Sequence, residues 1–288
     1  MVSKKPLGQA PSAKDHGGVV DNPWRPLRAF TDARIGLGRA GVSIPTAELL
    51  AFQLAHAQAQ DAVHLPLDVP TLCHQLAEGT LSEPFRRPLV LHSQAADRMT
   101  YLQRPDLGRR LDDDSRQHLQ ESLLGNQVDC PYDLAVVIVD GLSSRAIQDN
   151  ALPFLQAFSQ ALTSDSQHWR LAPLTVVEQG RVAIGDEVGE RLNANAVLVM
   201  VGERPGLSSP DSLGLYLTWG PREGLTDAHR NCISNVRPAG LKPTEASLRL
   251  LYLLTESRQR KLSGVQLKDR TEDKTLAHSQ VSSPFRLT

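Results

Sequence analysis

The sequence is poor in cysteine and in aromatic side chains, has almost no net charge, and contains no long apolar run. Its three cysteines, Cys73, Cys130 and Cys232, are spread over 288 residues. That excludes a disulfide framework and any cysteine-rich zinc or iron–sulfur cage, and it fits a reducing compartment. With 31 Lys and Arg against 32 Asp and Glu the formal charge is −1, without the basic excess of a protein that binds nucleic acid by neutralising phosphates. No window approaches the roughly 18 consecutive apolar residues of a transmembrane helix. Residues 1–22 read MVSKKPLGQAPSAKDHGGVVDN, with two early lysines but neither an apolar stretch nor a small-residue cleavage site. A secretory signal is therefore not expected, and flexible tails are expected over 1–22 and 270–288.

What remains is an ordinary globular balance, 40% hydrophobic and 22% charged, in a chain long enough for about two domains and for a core without staples. Residues 23–128 read as a helical domain. TAELLAFQLAHAQAQDAV, after Pro45, predicts a helix capped at Thr46 and ending near His64, with Leu50, Leu54 and Ala57 on one face. A second helix is expected from Pro70 to Leu76, stopped by Gly79, and a third over 104–124 with Leu119 and Leu123 at i,i+4.

Residues 129–269 alternate instead. AVVIV (135–139), LTVV (174–177), AVLVMV (196–201) and LGLYLTW (213–219) read as strands. Helices are expected over 144–162 and 186–193, and from Thr244 onward with Leu248, Leu251 and Tyr252 facing inward. Continuous apolar strands alternating with helices imply an α/β fold, with a Rossmann-like, mostly parallel sheet covered on both faces. Ligands of such sheets sit beyond the carboxyl ends of the strands. Three polar, glycine-bearing clusters follow strands: Asp140-Gly141, Gln179-Gly180-Arg181 and Gly202-Glu203-Arg204-Pro205-Gly206. They are expected to line one edge together. In the last, the glycines let backbone approach a bulky ligand, Glu203 can accept from amide or hydroxyl donors, and Arg204 can clamp a carboxylate; a tight turn with a surface ion pair is the plainer alternative.

Other motifs carry less. Gly36-Leu37-Gly38-Arg39-Ala40-Gly41 matches G-x-G-x-x-G, but the next helix starts only after Pro45, so pyrophosphate would meet no helix N-terminus. A nucleotide-binding oxidoreductase is kept as an alternative on this motif, although a glycine-rich turn docking on a partner suits it better. Asp227-Ala228-His229-Arg230-Asn231-Cys232 falls one residue short of D-x-H-x-x-G, with cysteine in the final glycine position, and His229 reads as a solvent-facing loop residue. Cys232 is either a packed thiol or a reactive one; nothing around it suggests the His–Asn pairing that an activated cysteine needs. Asp112-Asp113-Asp114 reads as a solvated helix start, not a metal site. Neither a nucleophile elbow nor Walker A, H-E-x-x-H or paired C-x-x-C spacings are present.

Several stretches are more specific together than singly. Arg28-Ala29-Phe30-Thr31 with Ala33-Arg34-Ile35-Gly36-Leu37-Gly38-Arg39-Ala40-Gly41, and Tyr101-Leu102-Gln103-Arg104-Pro105-Asp106-Leu107-Gly108-Arg109-Arg110, stand in the first half. Val139-Asp140-Gly141-Leu142-Ser143, Gln179-Gly180-Arg181-Val182, Val201-Gly202-Glu203-Arg204-Pro205-Gly206-Leu207 and Asn231-Cys232-Ile233-Ser234-Asn235 follow. In this order and spacing, from about Pro23 to Asp269, the chain resembles the small (light) subunits of ethanolamine ammonia-lyases. The resemblance implies an adenosylcobalamin-dependent radical lyase that converts ethanolamine to acetaldehyde and ammonia, active only with a large subunit that houses the chemistry. The small subunit's Rossmann-like domain, here 129–269, would support cobalamin at the interface, and the helical domain, 23–128, would contact the large subunit. Carried over by motif position, the cofactor-binding residues are Val182, Glu203 and Cys232, with no catalytic residue and no protein ligand to a metal. The alternative within the same complex is an assembly subunit without ligand contact. Enteric members of the family carry a longer N-terminal extension associated with a bacterial microcompartment. The tail here is short and has no clear amphipathic helix, so the cytoplasm is the expected compartment and a microcompartment the alternative.

Overall fold

A computed structural model describes residues 15–16, 18–124 and 130–270; the tails expected over 1–22 and 270–288 fall largely outside them. The chain divides into two compact units, one of residues 1–61 with 206–208 and one of residues 62–205 with 209–288.

In the first unit β1 (Asp15–His16), β2 (Val19–Val20) and β3 (Arg39–Ala40) form a small antiparallel sheet. The glycine-rich motif makes this pairing possible. Gly38 has φ +76°, and a Cβ on it would stand 2.7 Å from the Val20 carbonyl oxygen. A strand thus runs through G-x-G-x-x-G, and the helix that follows, α1 (Thr46–His64, its residues from Ala62 on counted with the second unit), opens well beyond it. The Glu48 carboxylate on α1 accepts from Arg28 at 2.7 Å and pairs with Arg25 at 3.2 Å. Arg34 donates to the Ser208 hydroxyl and the Leu207 carbonyl, both at 3.1 Å, tying 206–208 into this unit. The ends of α1 agree with the sequence, but its face does not. Ala55 and Ala62 are buried, whereas Leu50 and Leu54 are 59% and 60% exposed.

The second unit contains, in chain order, α2 (Val69–Glu78), β4 (Leu89–His92), α3 (Arg98–Gln103), α4 (Asp113–Leu124), β5 (Tyr132–Val139), α5 (Ser144–Ser164), β6 (Thr175–Glu178), α6 (Ile184–Arg191), β7 (Ala194–Gly202), β8 (Leu213–Trp219), β9 (Arg230–Val236) and α7 (Pro243–Arg260). It is a mixed α/β unit built on one six-stranded sheet of order β4-β6-β5-β7-β8-β9. The ladders from β4 to β7 are parallel, and β8 and β9 are added antiparallel. Two of these strands are not legible in the sequence. LVLH at 89–92 lies within the stretch read as helical, yet forms the parallel edge strand β4. RNCISNV at 230–236 has only Ile233 and Val236 as apolar side chains besides its cysteine, and forms the opposite edge.

Period-two alternation fills two cores, one on each face. Leu134, Val136 and Ile138 pack with Phe154, Phe158, Leu250 and Leu254 of α5 and α7. Ala135, Val137 and Val139 pack with Leu119, Ile184 and Val188 of α4 and α6. Local caps fix the helix starts. Asp68 accepts from the Thr71 N–H at 3.0 Å, Asp97 from Thr100 at 2.7 Å, and Ser143 from Ala146 at 3.2 Å. Two helices differ from the sequence expectation. The third is α4 alone, because 104–112 forms turns around a 3-10 segment at Leu107–Arg109; Leu119 is buried and the Leu123 side chain lies outside the described residues. In α7 the inward face is Ala246, Leu250, Leu253 and Leu254, while Leu248 is 62% exposed.

Candidate functional site

The three polar clusters meet at the carboxyl ends of β5, β6 and β7. Asp140, just beyond β5, is wholly buried, and its carboxylate accepts from the backbone N–H groups of Gln179 and Gly180, each at 3.0 Å. Arg98 of α3 closes the arrangement, with Nη1 3.5 Å from Asp140 and donating at 2.8 Å to the Gly141 carbonyl. Burial pushes the Asp140 carboxyl up to about 6, against the opposing pull of Arg98 and of these N–H groups. Gly141 (φ +61°) sits against Gly202, where a Cβ would stand 2.3 Å from the Gly202 carbonyl oxygen. Backbone here approaches backbone in a way no side chain allows.

Around this junction opens a cleft of about 380 Å³, lined by Tyr101, Gly141, Leu142, Arg181, Val182, Gly202, Glu203 and Tyr216, among others. Arg181 donates to the Tyr101 carbonyl at 3.0 Å, and its guanidinium lies over the Tyr101 ring, 4.5 Å from the centroid. On the far side of the junction, one oxygen of Glu203 is held by the Ser212 hydroxyl and, at 3.2 Å, by the Asn235 N–H. The other oxygen takes no hydrogen bond from the described residues. A second cavity of about 550 Å³ shares Arg181, Val182 and Tyr216 with this cleft. Its wall includes the buried Asp186–Arg230 ion pair, and burial pushes Asp186 up to about 6 against the charge and hydrogen bond of Arg230.

Of the residues singled out in the sequence, Val182, Glu203 and Arg204 line the one cleft, together with Gly141, Arg181 and Gly202 of the glycine-bearing clusters. Cys232 is on the edge strand β9, exposed, directly opposite Tyr216 in the ladder, with Sγ 3.3 Å from the Ser234 hydroxyl. It therefore stands beside a lining residue and not in the lining. Arg204 is exposed and forms no ion pair with Glu203 among the described residues. His229 is an exposed residue of a short 3-10 turn, within 3.1 Å of the Thr226 hydroxyl. Asp112 caps α4 by accepting from the Ser115 N–H at 2.8 Å, and Asp113 pairs with Arg116. Among the described residues no group of three or more His, Cys, Asp or Glu is placed to hold a metal ion. Sequence reasoning assigned no role to Tyr101 or Tyr216. The lining residue nearest to Tyr101 in the chain is Gly141, so nothing local marks the tyrosine, although it opens the YLQRPDLGRR stretch.

Comparison with known proteins finds relatives along most of the chain. The profile of the family described as "Ethanolamine ammonia-lyase light chain (EutC)" matches residues 21–268. The chain is 56% identical over 257 residues to the ethanolamine ammonia-lyase small subunit of Pseudomonas aeruginosa (strain LESB58), covering 89% of this chain and 91% of that one. It is 56% identical over 258 residues to the small subunit of Pseudomonas fluorescens (strain SBW25), covering 90% of each. With that of Pseudomonas putida (strain W619) the identity is 53% over 263 residues, 91% of this chain and 93% of the relative. The chain belongs to the ethanolamine ammonia-lyase light-chain family.

Proposed function

We propose that this chain is the small subunit of an adenosylcobalamin-dependent ethanolamine ammonia-lyase and holds the cobalamin at the interface with a large, catalytic subunit. The substrate of the complex is then ethanolamine, and its products are acetaldehyde and ammonia. The observation that carries the reading is the glycine-walled cleft at the carboxyl ends of β5, β6 and β7, lined by Val182 and Glu203, in a chain of this family. Its position supports regarding 129–269 as a Rossmann-like cobalamin-binding domain.

The lining suits a large, nearly neutral ring fringed with carboxamides. Backbone glycine surfaces admit a bulky face, and the free oxygen of Glu203 is an acceptor for an amide N–H. Val182 offers apolar contact, and the Tyr216 and Cys232 pair offers a polarisable rim. Adenosylcobalamin, when bound, supplies a cobalt–carbon bond that cleaves homolytically to start radical chemistry. The part of this chain is to bind and orient: Asp140 fixes the Gln179–Gly180 turn that presents Val182, and Ser212 and Asn235 fix the Glu203 carboxylate.

The helical stretch 23–128 is proposed to contact the large subunit. Trp24, Phe30, Val42, Ile44, Leu50 and Leu54 are all exposed, and apolar side chains such as these are stabilised when a partner removes them from water. Three free cysteines suit the reducing cytoplasm, with a microcompartment as the alternative location. Among the described residues no helix is long and apolar enough to cross a membrane.

The test is reconstitution. The purified chain alone should deaminate no ethanolamine, and adding the large subunit should restore cobalamin-dependent turnover. Robust deamination by the chain alone would overturn this division of labour.

A further inference from the structure

Tyr101 is only 1% exposed, yet it lines the cleft. Two guanidinium groups lie over its ring, with Arg98 Cζ 4.7 Å and Arg181 Cζ 4.5 Å from the centroid. Both arginines are themselves fixed. Arg98 donates to the Val63 carbonyl at 2.7 Å and the Gly141 carbonyl at 2.8 Å, and Arg181 donates to the carbonyl of Tyr101 itself at 3.0 Å. The ring therefore has one orientation. Its hydroxyl has no hydrogen-bond partner among the described residues. The fully sealed atoms without partners in this region are Arg98 Nη2, Gln179 Oε1 and Arg181 Nε. The Tyr101 oxygen is not one of them, so the little surface this residue keeps includes its hydroxyl.

A buried aromatic normally satisfies its hydroxyl within the protein. One clamped in place with that group left open is built to meet something else. We propose that Tyr101 is a further contact to the bound cofactor, its hydroxyl donating a hydrogen bond to a carboxamide oxygen on the rim of the corrin. This rests on the cobalamin reading of the cleft given above. Burial, together with the Asp140 charge and against those of Arg181 and Arg98, pushes the phenol up to about 12. The hydroxyl thus keeps its proton at neutral pH and acts as a donor. Glu203 supplies an acceptor in the same cleft, so the two residues together match both ends of primary carboxamides.

The experiment uses the assembled complex of both subunits, with equilibrium dialysis of hydroxocobalamin followed by its absorbance. Tyr101→Phe keeps the ring and both guanidinium contacts and removes only the hydroxyl. It should raise the dissociation constant about tenfold, with the thermal midpoint of the cofactor-free complex unchanged. Wild-type affinity in Tyr101→Phe, alongside weakened binding in Glu203→Ala, overturns the inference and leaves the cobalamin reading standing. A fall in thermal midpoint sufficient to explain the weaker uptake marks the hydroxyl as structural and also overturns it. If the wild-type complex takes up no cobalamin, the reading fails and the Tyr101 contact with it.

Discussion

Gly202 lies so close to Ser143 that a Cβ on the glycine would stand 1.9 Å from the Ser143 carbonyl oxygen. Ser143 caps α5 and donates at 2.6 Å to the Pro210 carbonyl, so it has little freedom to retreat. The end of β7 and the start of α5 are joined here without intervening side chains, and the cleft opens directly beside them.

Gly202→Ala should therefore destabilise the fold by about 3 kcal/mol or more, since the atoms that must move are backbone and not the flexible end of a side chain. Urea unfolding of the purified chain measures this. A variant with the wild-type midpoint would show that the two segments are not in contact as described.

Asp140 gives the chain a pH signature. Its folded carboxyl is pushed up to about 6 by burial, from an ordinary value of 3.8. Between those values the folded state holds a proton that the unfolded state has lost. The contribution of this group to stability is therefore fully present at low pH and is lost as pH rises through about 6. The gap corresponds to about 3 kcal/mol. Asp140→Asn removes the titration, so the stability of wild type relative to the variant should increase by about 2–3 kcal/mol from pH 7 to pH 4. Unfolding free energies measured across that range check it, and a flat difference would contradict it.

The exposed leucines of α1 make a prediction about assembly. Leu50 and Leu54 are one turn apart and both face outward. Replacing both with Asp should leave the thermal midpoint of the isolated chain near wild type, because neither is buried in it. Co-purification with a tagged large subunit should fall at least tenfold. Undiminished co-purification would move the subunit contact elsewhere.

Much of this arrangement is legible in the amino-acid sequence. The unbroken apolar runs at 135–139 and 196–201 announce β5 and β7 as strands buried on both faces, so helices on both sides of the sheet follow from them. The glycine-bearing clusters at strand exits likewise point to one edge. The failures have physical causes. The four residues 89–92 are too short to show a period, and they become a strand only because β6 offers a parallel edge. β9 carries Asn, Cys and Ser at positions exposed on an edge, so hydropathy does not mark it. On α1, the apolar face chosen from spacing is the one left in solvent, because the chain's own packing is through Ala55 and Ala62. On α7, Leu248 is not part of the buried stripe; the helix carries leucine at 248, 250, 251, 253 and 254, and apolar residues alone do not single out a face. In the cleft, Val182 and Glu203 are visible through their motifs, whereas Tyr101 joins them only through α3, which is distant in sequence.

The most direct measurement is a hydroxocobalamin titration of the two-subunit complex, carrying either wild-type small subunit or Glu203→Ala, followed by absorbance. With the free Glu203 oxygen accepting from the cofactor's amides, the variant should bind about tenfold more weakly than wild type. Equal affinity in the two complexes would contradict a cofactor site built on this cleft, and would leave the chain as an assembly subunit without ligand contact.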